Sequence, residues 1–250
     1  MRLKWGLVPV LFVTMSWPQT ANPGSVSGPP ATNRISSLPV TQITGAKVDD
    51  IRLDDASKTA TVTIRNVSDK TITAFDLAVR RIPMSGKSDI SNTSFRLVDL
   101  LLGISAGRLE GIRPGETFDE ILQGVSNNVT VDIDFVAFSD ASSEFTNPEM
   151  LKHVITVRKA IADANNQTKD IIRNASSKEE AISNLTLLWE ESKATAPFAT
   201  ATFATHLYNL KNQHGESEAD EQHLMLEYAN KNEKDAQFIS VHANLHGRAQ

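Results

Sequence analysis

The segment Gly103–Gly107 reads GISAG and so has the G-x-S-x-G spacing of a serine nucleophile, here Ser105. In hydrolases that use this motif, a sharp turn from a strand into a helix exposes the serine beside a histidine. A strand-like run precedes Ser105, but Arg108–Thr117 leads into a Pro-Gly turn rather than a helix. A loop rich in small residues explains the segment better. A secreted serine hydrolase, with His153 or His206 as its base, is therefore an alternative prediction.

His242 and His246 are four residues apart, so on a helix they would share one face and could bind zinc together. No glutamate of an HExxH motif lies between them, and the chain has no cysteine. A third ligand would have to be a carboxylate or another histidine: His153, His206, His214 or His223. Two surface histidines near the C-terminus explain the spacing better, so a metal- or ligand-binding protein is a second alternative. The leading prediction assigns no catalytic residue, no metal ligand and no cofactor.

Aspartates lie close together around the strand-like segments, and calcium prefers oxygen ligands of this kind. Asp132 and Asp134 alternate along the last strand-like run, while pairs at positions 49–50 and 54–55 flank the first. We interpret these residues as charged, solvated faces that discourage pairing between sheet edges.

The composition restricts the classes to which the protein can belong. The 250-residue chain has a net charge of −5 and no run of basic residues longer than two, so nucleic-acid binding is not favoured. The absence of cysteine excludes disulfide bonds and an acylated lipoprotein cysteine. Hydrophobic residues make up 40% of the chain, which is enough to bury a sizeable core.

The N-terminus has the features of a secretory signal peptide. Arg2 and Lys4 precede the apolar run Trp5–Met15, which is too short for a membrane span of about 20 apolar residues. We predict a signal peptide at residues 1–21, with an uncleaved anchor as the alternative. Residues 22–39 are rich in proline, glycine and serine and are predicted to be a disordered linker.

Residues 40–146 are predicted to form a β-sandwich, because short runs with period-2 alternation are separated by turn signals. Ala60–Asn66 alternates between apolar and polar residues, and the polar turn at Ser68–Lys70 joins it to the next run in a hairpin. In that next run the apolar residues change parity, which predicts a bulge near Thr73–Ala74. In the last run, Val129–Ala137, the odd-numbered residues are predicted to point inward.

Three motifs of this segment resemble small immunoglobulin-like modules of secreted bacterial proteins, such as the FxLYD-type domain. They are N-x-S-x-x-x-I-x-x-F-x-L-x-V from Asn66, I-x-P-G-E from Ile112, and an alternating strand that ends in FSD at Asp140. The run FDLAV at positions 75–79 differs from the Phe-x-Leu-Tyr-Asp run that names that group. The resemblance covers Thr59–Asp140 and implies an immunoglobulin-like fold with an adhesive or spacer role. It implies no catalytic residue.

From residue 147 the hydrophobic period changes from 2 to 3.6, which predicts helices through residues 147–250. Asn147-Pro148 and Pro197 are helix starts, and Ser177 opens a capping box. A further cap at Ser217 begins a last helical segment, predicted to be broken near Asn230–Asn232. We therefore expect an α+β chain in two segments, an antiparallel β-sandwich followed by an antiparallel helical bundle.

The leading functional prediction is a non-enzymatic, exported protein of the bacterial envelope, in the periplasm or outside the cell, that acts as an interaction or structural module. It rests on the signal peptide, the alternating strands and the lack of a coherent catalytic constellation in the sequence. The expected partner is another envelope or extracellular protein, bound at an exposed edge of the sandwich or on apolar surface where the two segments join. Nucleic acid is not expected as a partner, and no membrane span is expected after signal removal.

Overall fold

The computed structural model of the chain describes residues 43–54, 56–81, 93–102, 111–125 and 129–249. The predicted signal peptide and linker, residues 1–39, lie outside this part of the chain, and so does the segment that contains Ser105. The described residues form an α+β protein with β-sheets followed by four helices, and the chain divides into a mainly β unit and a helical unit.

In the described residues, the β unit forms two open sheets. The smaller sheet has the strand order β1-β2-β5, and the larger has the order β4-β3-β6-β7-β8. The strand bounds are β1 Ala46–Asp54, β2 Thr59–Asn66, β3 Ile72–Arg81, β4 Thr93–Asp99, β5 Thr117–Gln123, β6 Val129–Phe138, β7 Ser142–Phe145 and β8 His246–Ala249. Strands β1 to β7 pair antiparallel within their sheets, whereas β8 runs parallel to β7.

One apolar core receives side chains from both sheets. Ala60, Val62 and Ile64 of β2 are fully buried in it, as their alternation predicts. Phe75 of β3 meets Phe118 of β5 across the core, with ring centroids 5.7 Å apart in an edge-to-face arrangement. The inward faces of the two sheets are therefore packed against each other.

A bulge in β3 confirms the change of parity seen in the sequence. Ile72 is in register with Phe138 and Ala74 with Ala137, which leaves Thr73 as the extra residue. Because of that extra residue, Ile72 and Phe75 both point into the core although their spacing is odd.

A second bulge, in β6, was not predicted and corrects the orientation of that strand. Phe135 is in register with Asp76 and Ile133 with Leu77, so Asp134 is the extra residue. Beyond it Val136 and Phe138 take the inward positions that were assigned to Phe135 and Ala137. The prediction that Asp134 points into solvent is wrong, since this side chain is buried.

The helical unit contains four helices: α1 Pro148–Asn174, α2 Lys178–Ser192, α3 Pro197–Asn212 and α4 Glu218–Ala243. The predicted starts at Pro148 and Pro197 are confirmed, and the Ser177 and Ser217 side chains accept hydrogen bonds from the first turns of α2 and α4. The expected break near Asn230–Asn232 does not occur, and α4 is continuous. Within the described residues, no helix is long and apolar enough to cross a bilayer.

Residues 246–249 form a strand, whereas the sequence predicted helices through this part of the chain. After α4, the four residues of β8 pair with β7, with His246 in register with Ser142 and Gly247 with Ser143. All four helices therefore lie, along the chain, between two neighbouring strands of one sheet.

Candidate functional site

The two site predictions from the sequence have different outcomes. The GISAG segment with Ser105 lies outside the described residues, so the serine hydrolase alternative stays a prediction. The histidine pair loses its geometric basis, because α4 ends at Ala243 and His246 is the first residue of β8. The i, i+4 spacing on one helix therefore does not exist.

His242 has a structural partner within its own helix. It is buried, and its Nδ1 lies 2.8 Å from the backbone oxygen of Phe238, one turn earlier. In the described ranges, no group of three or more histidine, cysteine, aspartate or glutamate side chains is arranged to hold a metal ion.

The aspartates around β1 are engaged in local interactions. The Arg65 guanidinium donates to Asp49 from both Nε and Nη2, at 2.9 Å and 2.6 Å, and with Lys47 it lowers the pKa of that carboxyl to about 2. Asp54 accepts from the backbone N–H groups of Ala56 and Ser57, which close the turn into β2. These contacts give Asp49 a structural role in the sheet and Asp54 a structural role in the turn.

His206, named above as a potential base, belongs to a closed network that joins three helices. Its Nε2 donates to Oδ1 of Asn165 on α1 at 2.7 Å, and its Nδ1 accepts from the Tyr228 hydroxyl on α4 at 2.8 Å. Asn209 donates to the same hydroxyl at 3.0 Å. Burial lowers the pKa of His206 to about 3, with a further contribution from Lys231, so the ring is neutral. Both ring nitrogens are occupied, which leaves no site for a substrate proton.

The least expected polar feature is a pair of buried acids on the two bulged strands of the larger sheet. Asp76 of β3 is fully buried, and within the described part of the chain neither of its carboxyl oxygens has a hydrogen-bond partner. Burial, and then the charge of Asp134, raises the pKa of Asp76 to about 7. Burial also raises the pKa of Asp134, against the opposing effect of Arg80.

Two large apolar side chains of β1 face the core side of the smaller sheet but are not covered. Ile51 is in register with Val62 and Leu53 with Ala60, and both partners are fully buried. Ile51 is nevertheless 36% exposed and Leu53 44% exposed. We call these two side chains the edge patch, because β1 is the edge strand of its sheet.

Sequence reasoning missed both the acid pair and the edge patch. The sequence contains a weak indication that Asp76 is buried, because this residue lies between Phe75 and Leu77 in a run that is apolar on both faces. The edge patch has no such signal, since Ile51 and Leu53 alternate with charged residues as an ordinary half-buried strand does.

Comparison of the chain with protein-family models, with curated proteins and with solved structures gives no match. The class of protein is therefore defined by the described structure alone: an α+β protein with two open sheets and four helices.

Proposed function

We propose that this chain is an exported, non-enzymatic interaction or structural protein of the bacterial envelope, and that it binds another protein through the edge patch. The observation that carries the proposal is the exposure of Ile51 and Leu53 on the core side of β1. Export rests on the predicted signal peptide, and the apolar patch supports a protein partner rather than nucleic acid.

The strand order supports the immunoglobulin-like fold as part of this proposal. Taken in chain order as A, B, C, C′, E, F and G, strands β1 to β7 give the sheets A-B-E and C′-C-F-G. The shared core of the two sheets is consistent with a sandwich. Four amphipathic helices with a common core support the helical bundle.

The chemistry of β1 indicates how a partner would be recognised. The strand carries a bulge at Asp49 and charged side chains at Lys47, Asp50 and Arg52, features that disfavour the addition of another strand to a sheet edge. Recognition would therefore use the side chains of the edge patch. An apolar surface of the partner would cover them, and the charged side chains of β1 would lie beside that contact. Complete burial of one such side chain is worth about 1.5–3 kcal/mol.

The described polar residues support a non-enzymatic role. The buried histidine His206 is fully engaged by Asn165 and Tyr228, and Asp49 is engaged by Arg65. These groups stabilise helix packing and sheet edges, which is a sufficient reason for their presence.

A site-specific photo-crosslinking amino acid at position 53 tests the proposal in intact cells, with the same residue at position 187 as the control. Leu187 is more exposed than Leu53 and lies on α2, in the helical unit. We expect a crosslinked protein from position 53 that position 187 does not yield. The purified partner should then bind the full chain, with affinity reduced at least about tenfold by Leu53→Asp and unchanged by Leu187→Asp.

Equal affinity of both variants for the partner would overturn the edge patch as the binding surface. Stoichiometric labelling of Ser105 by a fluorophosphonate probe, abolished by Ser105→Ala, would instead establish the serine hydrolase alternative.

A further inference from the structure

The acid pair Asp76–Asp134 is not explained by the proposed function. Asp76 has no exposed surface, and among the residues that the structure describes both of its carboxyl oxygens lack a hydrogen-bond partner; the same holds for Oδ1 of Asp134. An ionised carboxylate in such a site would lose its hydration without gaining donors, which costs several kcal/mol. A protonated carboxyl avoids most of that cost.

The two acids are held close together by the bulge in β6. Asp76 is in register with Phe135, the residue next to Asp134, and the charge of Asp134 acts directly on Asp76. The two carboxyl groups have unequal surroundings. Asp134 has a hydrogen bond with the Thr146 side chain and an ion pair with Arg80 at 3.9 Å, so it is the better site for the negative charge.

The other charged groups on this face of the sheet do not neutralise Asp76. Arg80, four residues further along β3, makes its short contact with Asp132 at 2.7 Å rather than with Asp76. On β4, Asp99 shares the face and accepts a hydrogen bond from the backbone of Leu101. Around Asp76 the strands therefore contribute more acids than bases.

We propose that the folded protein holds a proton on Asp76 and a negative charge on Asp134, and that this pair is a pH-sensitive element of the β unit. When the Asp76 O–H bond is broken and the proton passes to water, two like charges are left in a buried site. The carboxylate of Asp76 then has to reach solvent, and the pairing of β3 with β6 loosens around the second bulge. Acidification restores the proton and the packing.

Thermal unfolding of the full chain between pH 4.5 and pH 8 tests this element in wild type, Asp76→Asn and the control Asp163→Asn. The asparagine is an isosteric, uncharged substitute for a protonated aspartate, and Asp163 is exposed on α1. We expect Asp76→Asn to raise the midpoint temperature by roughly 5 °C or more at pH 8 and by much less at pH 4.5. The control should follow the wild type at both pH values.

A second measurement uses the wild-type protein, so it does not require that a variant folds. In wild type, the carboxyl carbon resonance of Asp76 should titrate near pH 7, and the amides of β3 should exchange faster once it has titrated. Titration of Asp76 below about pH 5, close to the ordinary range of an aspartate, would overturn the proposal. So would a rise in the wild-type midpoint temperature at pH 8 on addition of Ca²⁺ that Asp76→Asn abolishes, because the pair would then be a cation site.

Discussion

Arg96 on β4 donates a 2.9 Å hydrogen bond from Nε to the carboxylate of Glu120 on β5, so a largely buried ion pair joins the two sheets. Arg96 is in register with the core residue Leu77, and Glu120 with the core residue Val62. The pair therefore lies on the inward faces of both sheets, where the surrounding side chains are apolar.

We expect Glu120→Ala to lower the free energy of unfolding by about 2–4 kcal/mol, because it leaves the Arg96 guanidinium desolvated without this carboxylate. Urea unfolding measures the loss. The matched control is Asp50→Ala, which removes an exposed partner of Arg52 and should cost less than about 1 kcal/mol. The double variant Arg96→Met/Glu120→Leu should recover much of the loss. If Glu120→Ala and Asp50→Ala lowered the free energy of unfolding by similar amounts, the result would contradict the role of the Arg96–Glu120 pair between the sheets.

The network around His206 predicts a pH dependence of stability. Because the folded-state pKa is about 3 and the usual value is 6.5, the unfolded chain binds more protons between these limits. The contribution of His206 to stability is complete above pH 6.5 and falls as the pH decreases, by up to about 1.4 kcal/mol per pH unit. His206→Gln should lose less stability than wild type between pH 7 and pH 5 in urea unfolding. His223→Gln, at an exposed site, should behave like wild type.

Asp76 and His206 act on stability in opposite directions over nearly the same pH range. The raised pKa of Asp76 means that its contribution favours folding at low pH and is lost as the pH rises from about 4 to about 7. The two effects partly cancel in the wild-type profile. Each effect should become visible when the other residue is replaced. Plotted against pH, the difference in stability from wild type should therefore have opposite slopes for the two single variants.

Gly247 is predicted to be essential for the attachment of β8. A Cβ atom at this position would overlap with the ring of Phe145, which is buried on the paired strand. We expect Gly247→Ala to increase hydrogen exchange at least tenfold for the amides that pair β8 with β7, with the helices unaffected. His246→Ala, at an exposed neighbouring side chain, is the control. Unchanged exchange in Gly247→Ala would show that the close approach of the two strands is not required.

The parts of the fold that are visible in the sequence are those set by local chemistry. Strands β2 and β3 and the bulge at Thr73 follow from alternation and its change of parity. The predicted hairpin between these two strands is wrong, because β2 pairs with β1 and β5 in one sheet whereas β3 pairs with β4 and β6 in the other. The helix starts at Pro148 and Ser177 follow from capping residues, since a side chain next to a helix satisfies the free N–H groups of its first turn.

The missed features depend on residues far apart in the sequence. The sequence of β6 does not show the bulge at Asp134, because apolar residues there stand at both odd and even positions. Only the register with β3 defines the bulge. Strand β8 reads HGRA, without a β-branched residue, so its conformation comes from pairing with β7 rather than from its own preference. The separation of His242 from His246 follows from the same strand, which begins two residues after α4.

The attachment of β8 also bears on how the chain acquires its structure. The contact between Ser143 and His246 joins residues 103 positions apart, so its closure has a larger entropy cost than a local contact, and it cannot form until residue 246 has been synthesised. Within strands β1 to β7 the most widely separated register partners, Ile72 and Phe138, are 66 positions apart, so these strands can pair earlier. A chain synthesised from its N-terminus could thus complete most of both sheets and then the helices before β8 is added.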